Sequence, residues 1–274
     1  MTEPMRPVLL VEGVSIAFGG LKALQAVALE ARQSEIVGLI GPNGAGKTTL
    51  FNCITGIYPP DDGRVALRTY RPAEKKGAPD TWTDRRIDHR SPDRVTRLGV
   101  CRTFQNIRLF PNMSALENVM VGRHARTREG VIGAVVRGPR FRAEEQATVE
   151  RSRELLAFVG LAHRDDDLAA SLPYGDMRML EIARALATDP RVLLLDEPTA
   201  GMNPAEKRTT ASLVRRIQET GMTTVLIEHD MRFVMGLCDR VVVLDHGVKI
   251  AEGTPREVQH NEKVIEAYLG RAAG

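Results

Sequence analysis

Short, wholly apolar runs recur along the chain and alternate with stretches whose apolar residues repeat at helical spacing. The run that opens "EIVGLIGPNGAGKTTLFNCITGI" (35–57) predicts a buried strand, a glycine-rich loop and a helix. "RVLLLDEP" (191–198) predicts a second buried strand, stopped by Pro198, and "TTVLIEHD" (223–230) predicts a third. Strands apolar at nearly every position, separated by helical patterns, predict a parallel sheet covered on both faces. "DRVVVLDHGVKIAEG" (239–253) predicts a hairpin turning at His246 and Gly247.

The middle of the chain reads differently. "SALENVMVG" (114–122) opens with a capping box, in which the Ser114 hydroxyl and the Glu117 carboxylate each satisfy an orphan backbone N–H. "RAEEQATVERSRELLAFVGL" (142–161) predicts a charged helix with one apolar face. Residues 106–170 are therefore expected to be a helical insertion within an α/β domain formed by 1–105 and 171–274. The polar stretch "RTYRPAEKKGAPDTWTDRRIDHRSPD" (68–93) predicts an extended surface loop.

Composition changes this picture little. The chain has 274 residues, 43% of them hydrophobic and 27% charged, enough to bury a large core. A net charge of +3 gives no argument for a nucleic-acid partner. No apolar run approaches the ~20 residues of a membrane span, and no leader-type apolar segment opens the chain. The three cysteines, Cys53, Cys101 and Cys238, share no metal-site spacing and are expected to be reduced, buried thiols.

Chemistry enters at "GPNGAGKT" (41–48), which fits the phosphate-loop pattern G-x-x-x-x-G-K-[ST]. Gly41, Gly44 and Gly46 allow torsions and close approaches that a Cβ would block. The loop N–H groups and the positive end of the following helix then favour phosphate. Lys47 reaches the β- and γ-phosphates, and the Thr48 hydroxyl is a candidate Mg²⁺ ligand. In "LLLDEP", Asp196 ends an apolar strand where it can hold the metal shell, and Glu197 beyond it can polarise an attacking water.

Taken in order, "GPNGAGKTT", "RTFQN", "LPYGDMRMLEIARAL", "LLLDEPTAGMNP" and "LIEHD" resemble an ABC-type ATPase subunit over essentially the whole chain. The resemblance implies an α/β fold: a P-loop NTPase core with a RecA-like parallel sheet, an antiparallel β subdomain and an inserted α-helical subdomain. It implies ATP and Mg²⁺ as cofactors. The cradle would comprise Gly41, Pro42, Asn43, Gly44, Ala45, Gly46, Lys47, Thr48 and Thr49, with Phe18 stacked on the adenine. Gln105 would meet the metal, beside Thr48 and Asp196, and reach toward a membrane partner. His229 would contact the γ-phosphate and brace the catalytic Glu197. Asn203 stands where many members carry Asp, in a loop that crosses the dimer interface.

A narrower resemblance rests on "RTFQNIRLF", "LENVMVG", "LPYG", "EPTAGMNPAE" and "GVKIAEGTPREVQHNEKVIEAYLG". These look like one of the two ATPases of branched-chain amino acid importers. It implies a second ATPase, paralogue or identical copy, in a nucleotide-sandwich dimer. It also implies two permease subunits, an extracytoplasmic solute-binding protein acting indirectly, no nucleic acid, and a position on the cytoplasmic face of the inner membrane. An ATPase for another solute, such as urea or short amides, and a soluble non-transport ABC ATPase remain alternatives.

The signature loop, usually L-S-G-G-Q, reads here Leu172-Pro173-Tyr174-Gly175-Asp176. Pro173 and Tyr174 fit the subfamily; Asp176 departs from it. Gly175 and the N–H groups after it can still donate to a phosphate. A carboxylate at Asp176 would repel that phosphate unless turned away, which predicts a weaker site beneath this loop.

Overall fold

A computed structural model describes residues 6–71, 81–123 and 139–269. The apolar runs form the middle of a six-stranded sheet. Its strands are β3 (Ile36–Ile40), β6 (Val100–Arg102), β7 (Val192–Asp196), β8 (Thr223–Ile227), β9 (Arg240–Asp245) and β10 (Val248–Gly253), in the order β10-β9-β3-β8-β7-β6. All neighbours run parallel except β9 and β10, the hairpin expected at His246-Gly247. Both turn residues have positive φ, 45° and 77°, the torsions a tight hairpin turn needs.

Alternation divides the core. Ile36, Ile40, Leu193, Leu195 and Leu226 face one layer, with α5 (Tyr174–Leu186) and α6 (Pro204–Glu219). Val37, Leu39, Leu194, Val225 and Val242 face the other, with α1 (Lys47–Ile54). Successive side chains on a strand point to opposite faces, so a strand covered on both sides is apolar at nearly every position. β3, β7 and β8 are buried at every position.

The second layer contains a four-stranded antiparallel sheet: β1 (Pro7–Phe18), β2 (Leu21–Arg32), β4 (Asp62–Arg71) and β5 (Thr81–Arg86), in the order β2-β1-β4-β5. Here the reading of 68–93 as a loop is corrected. Residues 66–71 pair with 81–86, with Tyr70 opposite Trp82 and their rings 5.1 Å apart. Arg68 grips Asp84 through two bonds of 2.6 and 2.7 Å. β5 is exposed at every position, so no hydrophobic alternation announced it. Residues 72–80 of that stretch lie outside the described residues.

Between β6 and α5 come α3 (Ala115–Arg123) and α4 (Pro139–Phe158). The capping box before α3 forms as expected: Ser114 N–H donates to Glu117 at 2.8 Å and Glu117 N–H to the Ser114 hydroxyl at 3.2 Å. The short helices α2 (Pro92–Leu98), α7 (Met231–Leu237), α8 (Pro255–Gln259) and α9 (Glu262–Leu269) complete the described structure.

Candidate active site

In an open parallel sheet, ligands bind beyond the carboxyl ends of the strands, where the connections diverge to opposite sides. β3 lies between β8 and β9, and the loop leaving it runs into α1. Glycine is required here by space as well as torsion. A Cβ on Gly41 would lie 2.1 Å from the Leu244 carbonyl oxygen, and one on Gly46 would lie 2.7 Å from that of Ala23. The β9–β10 turn backs the loop, with Gly247 N–H donating to the Ala45 carbonyl at 3.1 Å. Lys47 is buried, and its ammonium donates to the carbonyls of Gly41 (2.7 Å) and Pro42 (2.9 Å). Tyr268, from α9, also bears on this loop: burial raises its phenol pKa, and a hydrogen bond with the Gly41 backbone opposes that shift.

An open cleft of about 760 Å³ joins the expected residues: Phe18, Asn43 to Thr49, Gln105, Glu197 and His229 line it. Gly41 and Pro42 lie behind the lining, and Asp196 is buried beneath it. Phe18 is half exposed at the cleft edge, with Tyr58 packed edge-on 5.2 Å away. Gly175 is not brought to this cleft; it opens α5 beside Glu206 of α6.

The polar centre of the cleft is Glu197. Gln105 Nε2 donates to its Oε2 at 3.0 Å, and His229 Nε2 meets its Oε1 at 2.8 Å. Its backbone sits at φ 49°, a torsion a non-glycine residue adopts at a cost of roughly 1–3 kcal/mol. Neighbouring bonds hold it there. Glu197 N–H donates to the Ile227 carbonyl at 2.9 Å. The buried Glu228 accepts from Thr199 N–H (2.8 Å) and Thr199 Oγ1 (2.6 Å), fixing the turn after Glu197 to the end of β8.

Sequence reading missed several residues. Asp196 is paired: Arg102, itself 5% exposed, donates from Nη2 to Asp196 Oδ2 at 2.5 Å and from Nη1 to Asn52 Oδ1 at 2.6 Å. The guanidinium lies between the rings of Phe51 and Phe104. Its cue was an arginine at the end of a short strand, two residues before Phe104. Glu228 was visible inside "LIEHD" but hidden by the histidine after it. Tyr58, Leu21, Lys22, Gln25 and His246 border the cleft through tertiary approach alone.

Both departures in the signature and dimer loops have partners within the chain. The Asp176 carboxylate faces the Arg164 guanidinium at 3.5 Å, and Arg164 also bonds Asp167 at 2.9 Å. Asn203 caps α6, accepting from Ala205 N–H (2.8 Å) and Glu206 N–H (3.1 Å), while Glu206 accepts from Asn203 N–H at 2.8 Å.

Residues 24–200 match the protein family described as ABC transporter, and residues 248–274 match one described as branched-chain amino acid ATP-binding cassette transporter. The chain is 42% identical over 268 residues to the high-affinity branched-chain amino acid transport ATP-binding protein LivG of Salmonella typhimurium, an alignment covering 97% of this chain and 99% of that one. It is 41% identical, over 97% of this chain and 99% of the relative, to the BraF protein of Pseudomonas aeruginosa, which carries the same description. A nucleotide-free ATP-binding cassette from an ABC transporter superposes with a TM-score of 0.79 at 31% identity, covering 96% of this chain and 98% of that one. An ATP-binding cassette of an ABC transporter in its ADP conformation gives a TM-score of 0.78 at 31% identity, covering 96% of this chain and 99% of that one. With a family match across the phosphate loop and the strand-end acids, and close relatives aligned along almost the whole length, the chain belongs to the ABC transporter family, as one of its ATP-hydrolysing subunits.

Proposed function

We propose that this chain powers uptake of branched-chain amino acids, as the ATPase of an importer on the cytoplasmic face of the inner membrane. Its partners in this reading are a second ATPase, two permease subunits and, indirectly, a solute-binding protein. The core would be 1–105 with 171–274, and 106–170 the helical insertion facing the permeases. The names of the relatives in Salmonella and Pseudomonas, and the match at residues 248–274, support the amino-acid reading over urea or short amides.

The observation that carries the hydrolytic reading is Glu197, strained, partly buried and held between Gln105 and His229 at the mouth of the phosphate loop. Lys47 would exchange its two loop carbonyls for β- and γ-phosphate oxygens, and Phe18 would stack on the adenine. Glu197 would take a proton from, or orient, the attacking water, with His229 fixing the carboxylate and reaching the γ-phosphate. The donors near the phosphate loop fit Mg²⁺: the Thr48 hydroxyl, the Gln105 amide oxygen, and Asp196 Oδ1, since Arg102 takes only Oδ2. When bound, Mg²⁺ supplies charge neutralisation between the phosphates; the residues named would hold it.

Glu197→Gln preserves the shape and the left-handed backbone but removes the basic carboxylate. In the assembled transporter it should retain ATP binding and lose about 10²–10⁴-fold in hydrolysis. Hydrolysis at the wild-type rate would overturn the assignment. Co-purification from solubilised membranes, with partners identified by mass spectrometry, tests the transporter: two permeases with a second ATPase support it, and a chain recovered without them counts against it.

A further inference from the structure

The signature helix α5 and the segment carrying Gln105 are joined by a side chain that neither motif required. Arg178, one turn into α5, is 3% exposed. Its Nη1 donates to the Phe104 carbonyl at 2.9 Å, and its Nη2 donates to the Gln105 carbonyl. The same Nη2 donates to the Tyr174 hydroxyl at 3.0 Å. Glu181, one turn further on, accepts from Arg178 Nη1 at 3.2 Å and from Phe104 N–H at 3.3 Å. One guanidinium therefore binds two successive carbonyls of the Gln105 segment and the tyrosine of the signature loop.

The path continues at both ends. Gln105 donates to Glu197, and Glu197 meets His229. At the other end the Tyr174 ring lies against the loop before α6: a Cβ on Gly201 would be 3.3 Å from Tyr174 Cε1. Stability alone is a poor account of Arg178. Its Nε is buried without a partner, and a buried charge with an unmade hydrogen bond is usually no better than an apolar residue of the same volume. What the guanidinium does supply is a rigid fork that fixes two backbone carbonyls relative to a third group.

We propose that Arg178 is a positioning residue that couples Tyr174, in the loop covering the partner's nucleotide, to the Gln105–Glu197–His229 cluster at this chain's own nucleotide. The proposal rests on the sandwich-dimer reading above. When Gln105 shifts at one nucleotide, Arg178 carries its backbone displacement to the signature loop over the other. The tyrosine, unusual against the general signature, is then the acceptor that makes the linkage possible.

The test uses the assembled transporter with two conservative variants. Tyr174→Phe removes one hydroxyl and keeps the ring against Gly201; Arg178→Lys keeps the charge beside Glu181 and loses the fork. The readouts are the Hill coefficient of ATP hydrolysis, ATP affinity, and amide exchange of the peptide spanning 103–108. With coupling through Arg178, both variants keep the wild-type melting temperature within a few degrees and the same ATP affinity. Their Hill coefficient falls toward one, and in Arg178→Lys the 103–108 peptide exchanges several-fold faster. An unchanged Hill coefficient in both, or unchanged exchange in Arg178→Lys, overturns the proposal. Failure of the underlying sandwich-dimer reading looks different: the wild-type transporter then hydrolyses ATP with a Hill coefficient of one, whatever the two variants do.

Discussion

Arg102→Met tests the charge balance under the cleft. Asp196 is 2% exposed, and Arg102 is the cation that meets its carboxylate, at 2.5 Å. Methionine keeps an apolar stem between Phe51 and Phe104 but leaves Asp196 as an uncompensated buried charge, a loss of about 3–5 kcal/mol. The Asn52 oxygen loses a donor as well, but Asn52 is only partly buried, so water replaces much of that bond. At roughly 2–4 °C per kcal/mol for chains approaching this size, the melting temperature should fall on the order of 10 °C. Urea titration of wild type, Arg102→Met, Asp196→Asn and the double variant gives the coupling directly. The double variant should recover part of the single-variant loss, because the uncompensated charge is gone while a buried amide remains at 196. Nucleotide added with Mg²⁺ should narrow the Arg102→Met deficit more than nucleotide alone, since a cation then faces Asp196. A loss below about 1 kcal/mol, or a double variant no more stable than Arg102→Met, would refute the claim that this pair sets the charge at the end of β7.

Other outcomes follow from single sites. Asn203→Ala should cost about 1 kcal/mol through the α6 cap, while Asn203→Asp, which keeps the accepting oxygen, should change thermal stability little. Burial pushes the Cys53 and Cys238 thiols up to about 12, so at pH 8 a disulfide reagent should label them only after urea unfolding; rapid labelling of the native chain would contradict the packing. The Lys207 ammonium, 2.6 Å away, holds the Asp230 carboxyl below its ordinary value of 3.8. Its folded pKa is lowered, so its contribution is complete above the unfolded value and lost as pH falls through the folded one. The pair is partly exposed and worth under about 1 kcal/mol, so Asp230→Ala and wild type should converge slightly in stability in strong acid without meeting, because the α7 cap is lost as well.

What the sequence disclosed, and what it withheld, divides along a physical line. The central strands were legible because burial on both faces forces apolar residues at nearly every position. The phosphate loop was legible because its glycines, lysine and threonine stand at a fixed spacing within eight residues, although the carbonyls that crowd Gly41 and Gly46 come from Leu244 and Ala23, far along the chain. β5 was not: its side chains all face solvent, and its pairing with β4 depends on register and on contacts such as Arg68 with Asp84. Arg102 and Arg178 were hidden for a related reason. A buried arginine is recognisable only by what it meets, and both meet partners 50 to 94 residues away in the chain. These two arginines also explain why the motifs work as one object. Phosphate loop, strand-end acids and signature are separate words in the sequence. Arg102 ties α1 to β7 through Asn52 and Asp196, and Arg178 ties α5 to the backbone of Phe104 and of Gln105, the partner of Glu197. The residues read as chemical are each held by residues that read as ordinary charges, and a motif search finds only the former.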